Sequence, residues 1–317
     1  MNTKLNENEI TVGVDTSKHT LDIYIHPLGE HFIVDNDTKG VNEALNRIKP
    51  HRPQRIVIEA TGRLELLFVC AAYEKGLPIV VANPMHIHKF AAAIGQLVKT
   101  DKQDAKLIAK YGAVIKPRCT EVKPKNIRLI SDLLVRRNQL LTMSTMEKNR
   151  LSIMPKELHA DIKKCIKHFQ TSIKKIEAKL EKLIEETPQF KEVHDILMSV
   201  KGVGKVLTYT LLSDLPELGQ LNRKEIAALV GVAPMNRDSG NYQGKRVIRG
   251  GRHKIRTVLF MSMLSTIQNN EKFKRIYQGM VAKGKPKKVA IVACMRKMIT
   301  ILNIMVKNST TWDENLA

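Results

Sequence analysis

ITVGVDTSKHTLDIYIHPLGEHFIVDN, residues 10–36, reads as three short β-strands in a row: ITVGVDTS, then TLDIYIHP, then HFIVDN. The segments are rich in β-branched residues and partly alternate apolar with polar, the pattern of a half-buried antiparallel meander. Working outward, residues 38–49 read as a helix, RIVIEA (55–60) as a short continuous apolar strand ending at Glu59, and 64–75 as a helix. PIVVAN (78–83) is a further buried strand, and a helix follows from about Pro84. Strands alternating with helices after an antiparallel start predict an α/β sheet. The prolines and charges of KPRCTEVKPK then read as a linker, so this first domain is expected over 1–115.

The next stretch changes period. Ile162, Ile166, Phe169, Ile173, Ile176, Leu180 and Leu183 alternate spacings of four and three, a heptad seam. The preceding helix, 126–150, is amphipathic, and the segment around Pro155 is the expected turn. A linker and coiled-coil helices are therefore expected over 116–190, as a long hairpin or a dimerising coil, with ordinary two-helix packing as the plain alternative. A mostly helical domain is expected over 191–317.

Lys plus Arg number 53 against 31 Asp plus Glu, a formal charge of +22. Such a surplus repels itself, and the usual compensation is polyanion binding, in which neutralised phosphates release counterions. Membrane attraction is the competing use, but no clean apolar run of membrane-spanning length stands out, and MNTKLNENE lacks an apolar signal core. A nucleic-acid partner, no membrane and a cytoplasmic location are expected. Aromatics make up only 4%, so base stacking is not the main device. Cys70, Cys119, Cys165 and Cys294 are scattered and contain no zinc-type pair.

Carboxylates stand where an α/β sheet gathers its sites. Asp15 ends the first strand and Glu59 a later one. In TDKQD, Thr100 is a good N-cap with Gln103 three residues on, which puts Asp101 and Asp104 on one face of a first helical turn. Four acids together would repel, and hard divalent cations relieve that repulsion. The bland alternatives are that Asp101 and Asp104 complement a helix dipole, that Asp15 caps a turn, and that Glu59 pairs with Arg63.

In the C-terminal half, MSVKGVGKVLTYTLLSDL (198–215) reads as helix, tight turn, helix, resembling a helix-hairpin-helix element, with a plain glycine-rich corner as the alternative. Lys201, Gly202, Gly204 and Lys205 are its candidate phosphate contacts. Between 237 and 256 seven cations stand against one acid: Arg237, Lys245, Arg246, Arg249, Arg252, Lys254 and Arg256 against Asp238. Glycines interleave with them, which favours close backbone approach to phosphate over a merely solvated loop. Ser239 by itself reads as a turn residue. His86 and His88 fall at a helix start and read as structural residues or phosphate contacts.

GVDTSKHTLDIY, IEATG, ANPMHIHKFA and KTDKQDAKLIAKYG together resemble the N-terminal domain of the insertion sequence 110 family of transposases, and the resemblance extends through the C-terminal region. That domain is similar to the RuvC resolvase, an RNase H-like fold with a DEDD tetrad. The resemblance implies a catalytic, metal-holding tetrad of Asp15, Glu59, Asp101 and Asp104, with Mg²⁺ or Mn²⁺. It also implies a nucleophilic serine at Ser239, from the AP…SG match. The implied partners are donor and target DNA, a structured guide RNA encoded by the element, and further copies of the chain in a dimer or tetramer. Two other readings stay open: a metal-dependent nuclease or junction resolvase that uses water and does not need Ser239, and a non-enzymatic nucleic-acid-binding protein.

Overall fold

The computed structural model describes residues 9–95, 101–236, 244 and 246–313, with only the backbone of Asp101 and Lys102. The chain divides into two compact units, Met1–Lys123 and Pro124–Ala317.

The first unit is built on a five-stranded sheet. β1 (Thr11–Thr16), β2 (Thr20–His26) and β3 (Glu30–Asp35) form the antiparallel meander, and β4 (Arg55–Glu59) and β5 (Ile79–Ala82) follow after helical crossovers. The order is β3-β2-β1-β4-β5. β2 runs against both neighbours, whereas β4 and β5 run parallel to β1. This order, with only the second strand reversed, is the RNase H-like arrangement. Val12, Val14, Ile56, Val57 and Ile58 are fully buried, as both faces of the central strands require once helices cover them. On one face pack α1 (Thr38–Ile48) and α2 (Leu66–Glu74), through Leu45, Ile48, Phe68 and Ala72. On the other lie α3 (Pro84–Ala93) and α4 (Asp101–Ile115), through Ile87, Leu107, Ile108 and Tyr111. Burying each such side chain contributes about 1.5–3 kcal/mol before chain entropy is subtracted.

α4 crosses the sheet very closely, and two glycines permit it. A Cβ on Gly13 of β1 would meet the backbone of Ala105 and Ala109, reaching 2.9 Å from the Ala109 Cα. Further along the helix, a Cβ on Gly112 would stand 2.6 Å from Val57 Cγ2 and 2.7 Å from Thr11 Cγ2.

The segment after α4, read from its prolines and charges as a linker, lies along the sheet edge. The Thr120 N–H donates to the Ile79 carbonyl at 2.8 Å, and its hydroxyl oxygen accepts from the Val81 N–H at 2.8 Å. Arg55 Nε donates to the Pro117 carbonyl, and Val122 joins the core. These bonds satisfy the open edge of β5, which prolines in the sequence do not advertise.

In the second unit α5 (Lys125–Leu151) and α6 (His159–Glu185) pack as a hairpin within one chain. The seam residues Leu180 and Ile176 join Ile130, Leu134 and Tyr209 in one cluster, and Arg137 pairs with Glu177 at 2.7 Å. Seven shorter elements follow: α7 (Pro188–Met198), α8 (Lys205–Asp214), α9 (Arg223–Val230), the short strands β6 (Pro234–Met235) and β7 (Val247–Ile248), α10 (His253–Asn269) and α11 (Glu271–Ala282). α12 (Lys287–Lys307) closes the described helices and buries Cys294, Met295, Met298, Ile299 and Leu302 in a core shared with α7–α11. Burial raises the Cys294 thiol pKa to about 11, so it packs as a small apolar group. By length and composition alone α12 is apolar enough to cross a membrane. The sequence conceals it because Arg296 and Lys297 interrupt the apolar run.

Candidate active site

Parallel pairing sets the first two acids side by side. Val14 is in register with Ile58, so Asp15 and Glu59 come next along adjacent parallel strands, at the carboxyl ends where α/β sites gather. Asp15 Oδ1 accepts the Thr16 N–H at 3.0 Å. Beyond Glu59 the chain turns through Gly62 (φ +60°) and Arg63 (φ +88°). The buried Glu65 holds that turn, with Oε2 accepting the N–H groups of Thr61 and Arg63, each at 3.0 Å. The Thr61 hydroxyl donates to the Glu59 carbonyl at 3.2 Å. The acid that clamps the backbone at this turn is Glu65.

Asp104 arrives on the first turn of α4, directly before the residue that touches Gly13. Asp15, Glu59 and Asp104 thus line one cavity of about 710 Å³, together with the polar Thr16, Thr61 and His88 and the apolar Met85, Ile87, Leu107 and Ile108. Asp101 begins α4, but its side chain, like Thr100, lies outside the described residues. The structure therefore brings together three of the four expected acids. It adds Thr16, Thr61 and His88, which sequence reasoning does not single out for this site; His86 is exposed and not part of the lining. Nothing in their local sequence distinguishes the two threonines. Placing His88 requires the helix phase of α3.

The donor set suits a hard divalent cation. Three acidic residues from separate elements line one cavity, and the buried hydroxyl of Thr16, which lines it too, has no hydrogen-bond partner. Among the described residues no three acidic, His or Cys side chains already converge tightly enough to hold an ion by themselves.

In the second unit the corner 199–204 joins α7 to α8. Gly202 (φ +97°) sits so close to α10 that a Cβ would collide with Thr266, and its carbonyl accepts from the Ser262 hydroxyl at 2.9 Å. Gly204 caps α8 with no side-chain partner, and Lys201 is exposed beside it. Lys205 is ion-paired with Glu181, whose hydrogen bond raises its pKa.

The basic segment sorts into two groups. Arg252 makes a bidentate pair with Glu217, both bonds 2.6 Å, and donates to the Asp214 carbonyl at 2.9 Å. Lys254 pairs with Asp214 at 2.6 Å. Arg256 donates to the carbonyls of Gly231 and Gly250. These three tie the segment to its own unit. Arg246 and Arg249, by contrast, are exposed on either side of β7. Arg237, Ser239, Tyr242 and Lys245 lie outside the described residues. The base of their segment is fixed: β6 pairs with β7 through Pro234–Ile248 and Met235–Val247. Just beneath, Gly231 (φ +78°) and Gly251 (φ +68°) cross so closely that a Cβ on either would strike the opposing backbone.

Two family models match the chain. One for the DEDD domain of IS110-type elements, described as "Transposase", covers residues 12–160, and one described as "Transposase IS116/IS110/IS902 family" covers 194–278. The chain belongs to the IS110 family of transposases. As a member it is a DNA-cutting and DNA-rejoining enzyme. Pilin gene-inverting proteins of Moraxella bovis and Moraxella lacunata are each 29% identical over 96% of this chain and 98% of their own length. An IS110 protein of 43.6 kDa from Streptomyces coelicolor is 24% identical over 44% of this chain and 34% of its own. Among solved structures, Thermus thermophilus RuvC in complex with a Holliday junction substrate aligns with 34% of the chain at 14% identity and a TM-score of 0.27, covering 96% of that chain.

Proposed function

We propose that this transposase exchanges DNA strands through a covalent serine intermediate, with Asp15, Glu59, Asp101 and Asp104 as its metal-holding acids and Ser239 as its nucleophile. The observation that carries the reading is the single cavity shared by Asp15, Glu59 and Asp104, three acids contributed by separate elements of the first unit. Bound there, Mg²⁺ or Mn²⁺ would supply Lewis-acid stabilisation of charge developing on phosphoryl oxygens. The functional division that goes with this is a metal-holding domain over 1–115, helices over 116–190, and a domain carrying the nucleophile over 191–317.

The chain's own residues divide the remaining work. The Ser239 oxygen bonds to phosphorus while one backbone P–O bond breaks, and the hydroxyl proton passes to the departing DNA oxygen. A DNA hydroxyl from the partner duplex later attacks the same phosphorus and returns the proton to Ser239. Two transesterifications keep the phosphodiester count unchanged, which hydrolysis by water would not. Exposed Arg246 and Arg249, with Arg237 and Lys245, are placed by sequence around Ser239 to neutralise phosphate charge. Lys201, Gly202, Gly204 and Lys205 supply backbone-phosphate contact at the α7–α8 corner. An element-encoded structured RNA pairing with donor and target DNA, and at least two copies of the chain, complete the reading; its support is the family membership and the +22 charge.

The deciding experiment is denaturing electrophoresis of labelled DNA after reaction, with mass spectrometry of any linked peptide. Ser239→Ala should abolish adduct and strand exchange while binding survives, and Tyr242→Phe should keep both. An adduct mapped to Tyr242, or free ends formed at normal rate by Ser239→Ala, would leave the water-using nuclease as the better reading.

A further inference from the structure

A second cavity, about 480 Å³, opens in the helical unit between α9 and α12. Its walls are Arg223 and Lys224 from the first turn of α9 and Arg296 and Lys297 from the middle of α12, with Ala293, Thr300 and Ile301 between them. All four cations are exposed. Among the described residues no carboxylate lines the cavity. The nearest acid in sequence, Glu225, is occupied in a capping box, accepting the Asn222 N–H at 3.0 Å.

This arrangement is electrostatically unfavourable for the protein alone. Arg223 and Lys224 stand at the positive end of a helix dipole, where acids are preferred. Arg296 and Lys297 are the only charges between Val289 and Val306, so they break an apolar helix to face the same space. From Lys272 to Trp312 the sequence holds ten Lys or Arg and no acid, so this stretch of chain carries no compensating charge of its own. Four like charges around such a cleft repel one another, and an external polyanion removes that cost. The backbone N–H groups of Lys224 and Glu225 already donate to Asn222 Oδ1, at 2.9 Å and 3.1 Å. The site is thus made of side chains.

We propose that the α9–α12 cleft seats a stretch of phosphodiester backbone, a nucleic-acid contact separate from the basic segment 237–256. It rests on the strand-exchange reading for its partner class. Cation pairs contributed by two separate helices match a chain of successive phosphates better than one enclosed anion.

The test measures binding of the full-length protein to a random-sequence DNA duplex and, separately, to an RNA stem-loop of matched length, across a salt series. For every phosphate no longer neutralised, the negative slope of log K against log salt shrinks in magnitude by about 0.9 on duplex DNA and about 0.7 on single strands. The quadruple variant Arg223→Gln, Lys224→Gln, Arg296→Gln, Lys297→Gln should show at least one such decrement and bind about tenfold more weakly at moderate salt. The probe that shows the decrement identifies the backbone seated there. The charge-keeping swap Arg223→Lys, Lys224→Arg should retain the slope. A matched control removes exposed Lys163, Lys164, Lys174 and Lys175 from α6. Unchanged slopes on both probes, or equal decrements in the α6 control, would overturn the site while leaving the strand-exchange reading intact. Wild-type protein that binds neither probe would sink both.

Discussion

Replacing Gly13 by alanine tests whether the approach of α4 to β1 is what brings the acids together. The new Cβ would lie inside contact distance of the Ala105 and Ala109 backbone, and backbone cannot rotate away as a side-chain tip can. Helix and strand must therefore separate. Overpacking of this kind costs about 1–3 kcal/mol. In a unit of this size each kcal/mol lowers the melting midpoint by roughly 3–5 °C, so a drop of about 3–15 °C is expected. The functional effect should be larger than the effect on stability. Asp104 directly precedes Ala105, so the shift moves it away from Asp15, and a misplacement of about 1 Å can cost on the order of a hundredfold in rate. Gly112→Ala is the internal comparison: its Cβ would meet the methyl groups of Val57 and Thr11, which can yield in part. Thermal unfolding and strand cleavage, measured below the lowest midpoint, should rank wild type, then Gly112→Ala, then Gly13→Ala. Wild-type stability and cleavage in Gly13→Ala, or a reversed ranking, would refute the reasoning.

Asp104→Asn, or chelation of wild-type protein by EDTA, should cut strand cleavage to about one per cent or less, the scale of removing a single transition-state interaction, with DNA binding unchanged; full cleavage in EDTA would refute a metal role. Arg252→Gln should lower stability by about 1 kcal/mol, discounted because the Glu217 pair is partly solvated, and leave the salt slope of DNA binding intact; a reduced slope at normal stability would reassign Arg252 to phosphate contact. Burial first, then Lys110 and Lys106, depress the His26 pKa, so the folded state favours neutral imidazole. The stability it contributes is present above the ordinary imidazole range and lost as pH falls below it. His26→Gln should flatten the acid side of a midpoint-versus-pH curve, and an unchanged slope would count against it.

The sheet was legible because its strands carry their own signatures. Continuous Ile-Val runs at 56–58 and 79–81 fit strands buried on both faces, and the β-branched meander at 10–36 declares its antiparallel start. The strand-end positions of Asp15 and Glu59 follow from those same runs. The tertiary devices were not legible. Glu65 reads as an ordinary helix-start acid until the turn it clamps is in place. Arg252 looks identical to Arg249 in a basic string, yet one finds Glu217 across 35 residues of sequence and the other faces solvent. The α9–α12 cleft joins residues about seventy positions apart, and neither pair is unusual alone. The heptad seam was visible as a pattern, but a pattern cannot say that Tyr209 of α8 would supply part of its partner surface.

The crossing of Gly231 with Gly251 gives the Ser239 segment the character of a graft. Its two ends are already joined by that crossing, by the β6–β7 pairing and by the Arg256 bonds to Gly231 and Gly250. Ring closure is therefore settled at the stem, and doubling the length between Met235 and Val247 adds only about 0.6 kcal/mol of closure cost. Insertions and exchanges there should leave the helical core beneath unchanged. The tolerance stops abruptly at the stem, because any side chain larger than hydrogen at 231 or 251 would pry the splice apart.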